Sequence, residues 1–255
     1  MPSRGRRMTL EAAARAARAG NQILNFIVAV LILLMLLYGG YSLWDSYMTM
    51  QGAFVSDDLL QFKPVSGGET QDNPTLEELR AINPDVGAWV TIDDTHIDYP
   101  VVQGENDMEY VNKDVYGAFA LSGSIFLSCL NHADFSDPYN LLYGHHMDNG
   151  GMFGDIAEFV NEAYFEAHRT GTLFLPQGTY PIRLFACVEA DAYDETIYNV
   201  TAQQEDVGGL LAYVEKNATQ YREIGAAPED SIIAFSTCED AVTNGRIIVF
   251  GVLEK

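Results

Sequence analysis

SIIAFSTCEDAVTNGRIIVFGVL, residues 231–253, consists of two apolar runs, 231–238 and 245–253, separated by a polar turn. Runs of eight or nine residues rich in Ile, Val and Phe and bounded by turn residues read as strands, so the stretch predicts a strand, a turn and a second strand. Six further runs of the same kind precede it: AWVTI (88–92), HIDYPVV (96–102), GSIFLSCL (123–130), NLLYGH (140–145), TLFLP (172–176) and YPIRLFACVEA (180–190). About eight strands result. Their spacing suits a mixed barrel or sandwich better than a regular alternation of strand and helix. Two helical stretches are inserted, one over 151–168 and one over 203–220 around LLAYVEKN.

The first run ends at Cys238, and Glu239 and Asp240 follow at once. A strand end beside a polar turn can hold a side chain rigidly and still expose it. Arg246 opens the next strand eight residues on, and a hairpin of that length can bring the two together. His145 also stands at a strand end, after NLLYG. A thiol with an ordinary pKa of about 8.5 is mostly protonated at neutral pH, so cysteine catalysis needs a neighbouring His or Arg and an acid for the leaving amine. His145, Cys238 and Arg246 are therefore candidates for proton carrier, nucleophile and oxyanion donor, with Ser236 and Thr237 as candidate substrate contacts just before the nucleophile. His146 competes with His145, but adjacent side chains of an extended segment point to opposite faces. Asp240 is a weaker candidate for orienting the imidazole. His96, His132 and His168 lack comparable surroundings. Cys129 and Cys187 lie in apolar runs and read as buried thiols, with a disulfide between them as the alternative. His145, His146 and Asp148 match no standard zinc spacing, so neither a metal nor a cofactor is expected.

Of 14 basic residues in the 255-residue chain, five (Arg4, Arg6, Arg7, Arg15 and Arg18) fall in the first 20 positions, where Glu11 is the only one of 36 acidic residues. The body from Asn21 onward is strongly acidic and would repel phosphate backbones, which argues against nucleic-acid binding. ILNFIVAVLILLMLL (23–37) has Asn25 as its only polar residue, and apolar character continues to Trp44. About 20 such residues at 1.5 Å each cover the roughly 30 Å bilayer core. The stretch is longer than a signal-peptide core, which favours a membrane span over a cleaved leader. The basic head places the N-terminus in the cytoplasm by the positive-inside rule. The expected organisation is a basic cytoplasmic tail (1–20), a transmembrane helix (21–44), an extracellular stalk (45–74) and a catalytic domain (75–255). T-L-E-E, from Thr75 to Glu78, is the capping box expected to start that domain.

YGHHM around His145, STC ending at Cys238 and RIIV beginning at Arg246 resemble the sortases, membrane-anchored cysteine transpeptidases of Gram-positive cell envelopes. NPDVGAWVTIDDTHIDYPVVQ, NDMEYVNKDVYG, GSIFL and YGHHMDNGGMFGDI resemble the class B subgroup in particular. The resemblance covers residues 75–255. It implies an eight-stranded β-barrel with inserted helices, and His145, Cys238 and Arg246 as catalytic residues. The implied partners are secreted proteins with a C-terminal sorting signal and an acceptor amine, from a peptidoglycan precursor or a pilin, with cell-wall anchoring favoured. The alternatives are an envelope cysteine peptidase or peptidoglycan hydrolase, in which water takes the acyl group, and a tethered binding domain with a structural Cys238.

Overall fold

The computed structural model describes the backbone of residues 4–65, 73–238 and 244–255; the side chains of 4–11, 49, 51 and 238 lie outside the description. The chain forms two compact units, Met1–Met48 and Thr49–Lys255. Helix α1 runs over Arg4–Gln51. Its part Ala12–Met48 is long and apolar enough to cross a membrane and none of its most apolar window is buried, which is compatible with membrane anchoring.

In the second unit two short helices, α2 (Asp57–Leu60) and α3 (Pro74–Ile82), precede the strands. Strands β1 (Val86–Ile92), β2 (Asp98–Val102), β3 (Ile125–Leu127) and β4 (Tyr139–Tyr143) are followed by a 3₁₀ turn (Gly154–Val160) and helix α4 (Glu162–Ala167). Then come β5 (Thr170–Leu175), β6 (Gly178–Asp191), α5 (Glu195–Tyr198), α6 (Gly208–Asn217), β7 (Ala218–Tyr221), β8 (Ser231–Cys238) and β9 (Gly245–Leu253). The sheet order is β5-β1-β2-β3-β4-β8-β9-β6-β7, and β5 also pairs with β6. Eight strands thus close into a barrel, with β7 added along the far half of β6. The pairs β2–β3 and β4–β8 are parallel and the rest antiparallel.

The continuous apolar runs of β8 and β9 follow from burial on both faces. Ile233, Phe235, Ile247 and Val249 belong to the cluster that includes Val90 and Tyr99, whereas Ile232, Ala234, Ile248 and Phe250 pack with Leu210 and Val214 of α6. A third cluster places α2 and α3, through Leu59, Leu76 and Leu79, on Trp89 and Phe126.

Several local expectations are corrected. Helix α3 begins at Pro74, so Thr75 lies inside the first turn and no capping box forms; Asn73 precedes the helix and donates instead to the carbonyls of Leu175 and Gly178. The 151–168 stretch is split at Asn161, whose side chain accepts from the amides of Ala163 and Tyr164 and starts α4. The 203–220 stretch is helical only to Asn217, and the next four residues become β7 because β6 offers them a free edge. Cys129 lies in a turn after β3, Cys187 is buried in β6, and both are free thiols. Residues 53–63 lie on the barrel, with Ala53 and Leu59 buried, although their composition reads as a stalk.

Candidate active site

The ends of β4, β8 and β9 meet at a groove of about 450 Å³ lined by Tyr143, His145, Ser236, Thr237 and Arg246, together with Asp107, Val111, Phe126 and Tyr198. Its walls follow from strand register. Tyr143 of β4 pairs with Ser236 of β8, and Cys238 of β8 pairs with Arg246 of β9. His145 and Cys238 each follow a paired residue by two positions, so the backbone of the two parallel strands brings them to the same end of the sheet.

His145 Nε2 lies 2.8 Å from the carbonyl of Val111. A carbonyl only accepts, so the neutral ring carries its hydrogen on Nε2 and its lone pair on Nδ1. The Val111 carbonyl is itself crowded by Gly123, where a Cβ would stand 2.4 Å from its oxygen and where φ is +62°. His146 points elsewhere: it pairs with Met152 across a turn, and its Nε2 stands 3.4 Å from Asp148. His96 and His132 pair with Asp155 and Asp137, and His168 stacks on Tyr164.

Arg246 Nη1 donates to the Gly245 carbonyl at 2.9 Å. Ser236 is buried and shares a 2.9 Å hydrogen bond with the Tyr198 hydroxyl. Thr237 is 2% exposed, and its hydroxyl has no partner among the described residues. The side chain of Cys238, and Glu239 and Asp240, lie outside the described residues.

Sequence reasoning missed the aromatic floor. Phe126 stacks on Tyr143 with centroids 5.3 Å apart, and Tyr143 on Tyr198 at 6.3 Å. The available signal was alternation, since Tyr143 stands two residues before His145 and shares its face of the strand. Burial raises the Tyr143 phenol well above its ordinary pKa, so it is neutral at physiological pH. Asp107 was also missed; it accepts from the Cys129 amide at 2.6 Å and the Ser128 hydroxyl at 3.3 Å. No group of three or more His, Cys, Asp or Glu among the described residues is placed to hold a metal ion.

No protein-family model matches the chain. It is 31% identical over 191 residues to sortase B of Listeria monocytogenes, covering 73% of this chain and 76% of that protein. It is 26% identical over 234 residues to sortase B of Staphylococcus aureus, covering 90% and 96%. Among solved structures, a class B sortase of Streptococcus pyogenes involved in pilus biogenesis is similar at 42% identity and a TM-score of 0.65, over 70% of this chain and 97% of that one. A Staphylococcus aureus sortase B–substrate complex is similar at 27% identity and a TM-score of 0.67, over 73% and 87%. A closed eight-stranded barrel with these relatives defines a sortase-type cysteine transpeptidase. The chain belongs to the sortase family and is class B-like within it.

Proposed function

We propose that the chain is a membrane-anchored transpeptidase that cleaves the C-terminal sorting signal of secreted proteins through a thioester on Cys238 and passes the acyl group to an amine. The register at the groove carries this reading: Cys238 lies opposite Arg246, and His145 stands at the same strand ends. The Cys238 thiolate attacks the scissile carbonyl carbon, and Arg246 donates hydrogen bonds to the oxygen as it becomes an oxyanion. The C–N bond then breaks, and the His145 imidazolium gives the leaving amine a proton from Nδ1 while Nε2–H stays on Val111. The acceptor amine next attacks the thioester and gives up a proton to His145. The C–S bond breaks, the thiolate returns and a new amide remains. Ser236 and Thr237 border the bound peptide, and the Thr237 hydroxyl, without a partner among the described residues, is suited to a peptide backbone group.

The proposed organisation is a cytoplasmic tail (1–20), a membrane helix (21–44), an external connection (45–74) of which residues 53–63 lie on the barrel, and an extracellular catalytic domain (75–255). The acceptor is an amine of a peptidoglycan precursor or of a pilin. Similarity at 42% identity to an enzyme involved in pilus biogenesis favours the pilin lysine over the wall anchoring expected from sequence.

Mass spectrometry of the purified chain with a sorting-signal peptide and a primary amine tests the reading. A thioester on Cys238 followed by the amide product is expected. Hydrolysed acid as the sole product with every amine would establish the peptidase instead.

A further inference from the structure

The segment leading into the barrel is held by two adjacent residues of β2. Tyr99 Oη donates to the Ala53 carbonyl at 2.7 Å, and Lys63 Nζ pairs with Asp98 at 2.5 Å. Neighbouring side chains in a strand point to opposite faces, so the two ties grip the segment on both sides of β2. A third group joins the first tie. The Met152 amide donates to Tyr99 Oη at 2.8 Å and also points to the Ala53 carbonyl at 3.3 Å. Ala53, Tyr99 and Met152 are all buried, and burial pushes the Tyr99 phenol up to about 12, which keeps its proton in place.

Met152 belongs to the turn that follows His145. The Phe153 amide donates to the His145 carbonyl at 3.0 Å, and Met152 bridges to His146. Phe153 packs edge-on against Phe235 of β8, the strand that ends at Cys238. Met152 has φ +53°, a left-handed conformation that a non-glycine residue holds only when its neighbours enforce it. At Gly151 a Cβ would stand 2.9 Å from both the Cβ and the carbonyl oxygen of Ala53, so turn and segment meet at backbone distance.

We propose that Tyr99 and Ala53 form a latch that positions His145, acting through the strained Met152 amide on the turn that fixes the histidine backbone. Tyr99 is a positioning residue, and the segment before the barrel is part of the catalytic apparatus. The inference rests on the role given to His145 above.

The test uses the full-length chain in detergent, with Tyr99→Phe and Gly151→Ala compared with the wild type for kcat, KM, pH–rate profile and thioester formation. Tyr99→Phe keeps the ring and removes the hydroxyl, and Gly151→Ala pushes the turn off Ala53. Displacing a reacting group by about 1 Å costs up to about 100-fold in rate, so kcat is expected to fall by roughly 10- to 100-fold with KM within about twofold. The limb of the pH–rate profile that reports His145 is expected to move. Folded variants with wild-type kcat and pH profile would overturn the latch even if their melting temperatures fell, because a merely structural tie moves only stability. Gly151→Ala decides alone if Tyr99→Phe does not fold. A wild type that forms no thioester on Cys238 overturns the proposed function and the latch with it, whereas a thioester-forming wild type matched by both variants overturns the latch alone.

Discussion

Replacing Arg246 separates a catalytic guanidinium from a structural one. The side chain lines the groove, its Nη1 is fixed on the Gly245 carbonyl, and its backbone is paired with Cys238. One of the five guanidinium N–H donors is thereby used to orient the side chain. Lysine keeps the charge but presents a point ammonium on a flexible stem, without the planar fork. Loss of one oxyanion donor costs about 2.7–4 kcal/mol, which corresponds to roughly 10²–10³ in rate. Arg246→Lys is therefore expected to lower kcat/KM by that order and Arg246→Ala by at least as much. The assay is turnover of a sorting-signal peptide, with alkylation of Cys238 by a small reagent as a check that the thiol stays accessible. Near-normal turnover by Arg246→Lys would refute the assignment, since it would mean that only a positive charge is needed, as in an ion pair with Glu239 or Asp240 of the turn.

Cys238→Ala should abolish the thioester and leave the melting temperature close to that of the wild type. Burial pushes the Cys187 thiol up to about 12 and also raises Cys129, so both are protonated at neutral pH; peptide mapping after alkylation at pH 7 should find Cys238 modified first, with the other two reacting only as pH rises. Gly123→Ala puts a Cβ against the Val111 carbonyl that holds His145 Nε2, and should lower kcat about tenfold or more and displace the pH optimum; an unchanged pH profile would show that this carbonyl does not orient the ring. Tyr198→Phe leaves the buried Ser236 hydroxyl without its partner, a loss of about 1–3 kcal/mol, and calorimetry should record a fall of roughly 2–4 °C per kcal/mol.

Much of the architecture is written locally. Apolar runs bounded by turn residues place eight strands near their observed positions, and a basic head followed by unbroken apolar residues marks the long N-terminal helix. Both signals depend on near neighbours in the chain, as do the strand ends at His145, Cys238 and Arg246. Errors appear where a distant partner decides. Residues 218–220 end a stretch that reads as helical, but the open edge of β6 makes Ala218–Tyr221 a strand. Asn161 breaks an apolar helix because its side chain caps the turn that follows. The composition of 45–74 is that of a linker, yet contacts of Ala53 with Tyr99 and Met152, of Leu59 with Trp89 and of Lys63 with Asp98 lay residues 53–63 on the barrel. Barrel closure through β5 and β6 likewise depends on tertiary structure, as does the placement of His145 in the groove while His146 pairs with Met152. The ring of His145 finds a carbonyl 34 residues earlier in the chain, and no periodicity encodes which backbone group a folded barrel brings within 2.8 Å. Sequence by itself determined the strands, the long apolar N-terminal helix and the candidate residue types for the site, because these depend on local periodicity and side-chain chemistry; the tertiary structure alone decided the closing pair, the docked segment and the tautomer of the histidine, because each depends on contacts between residues far apart in the chain.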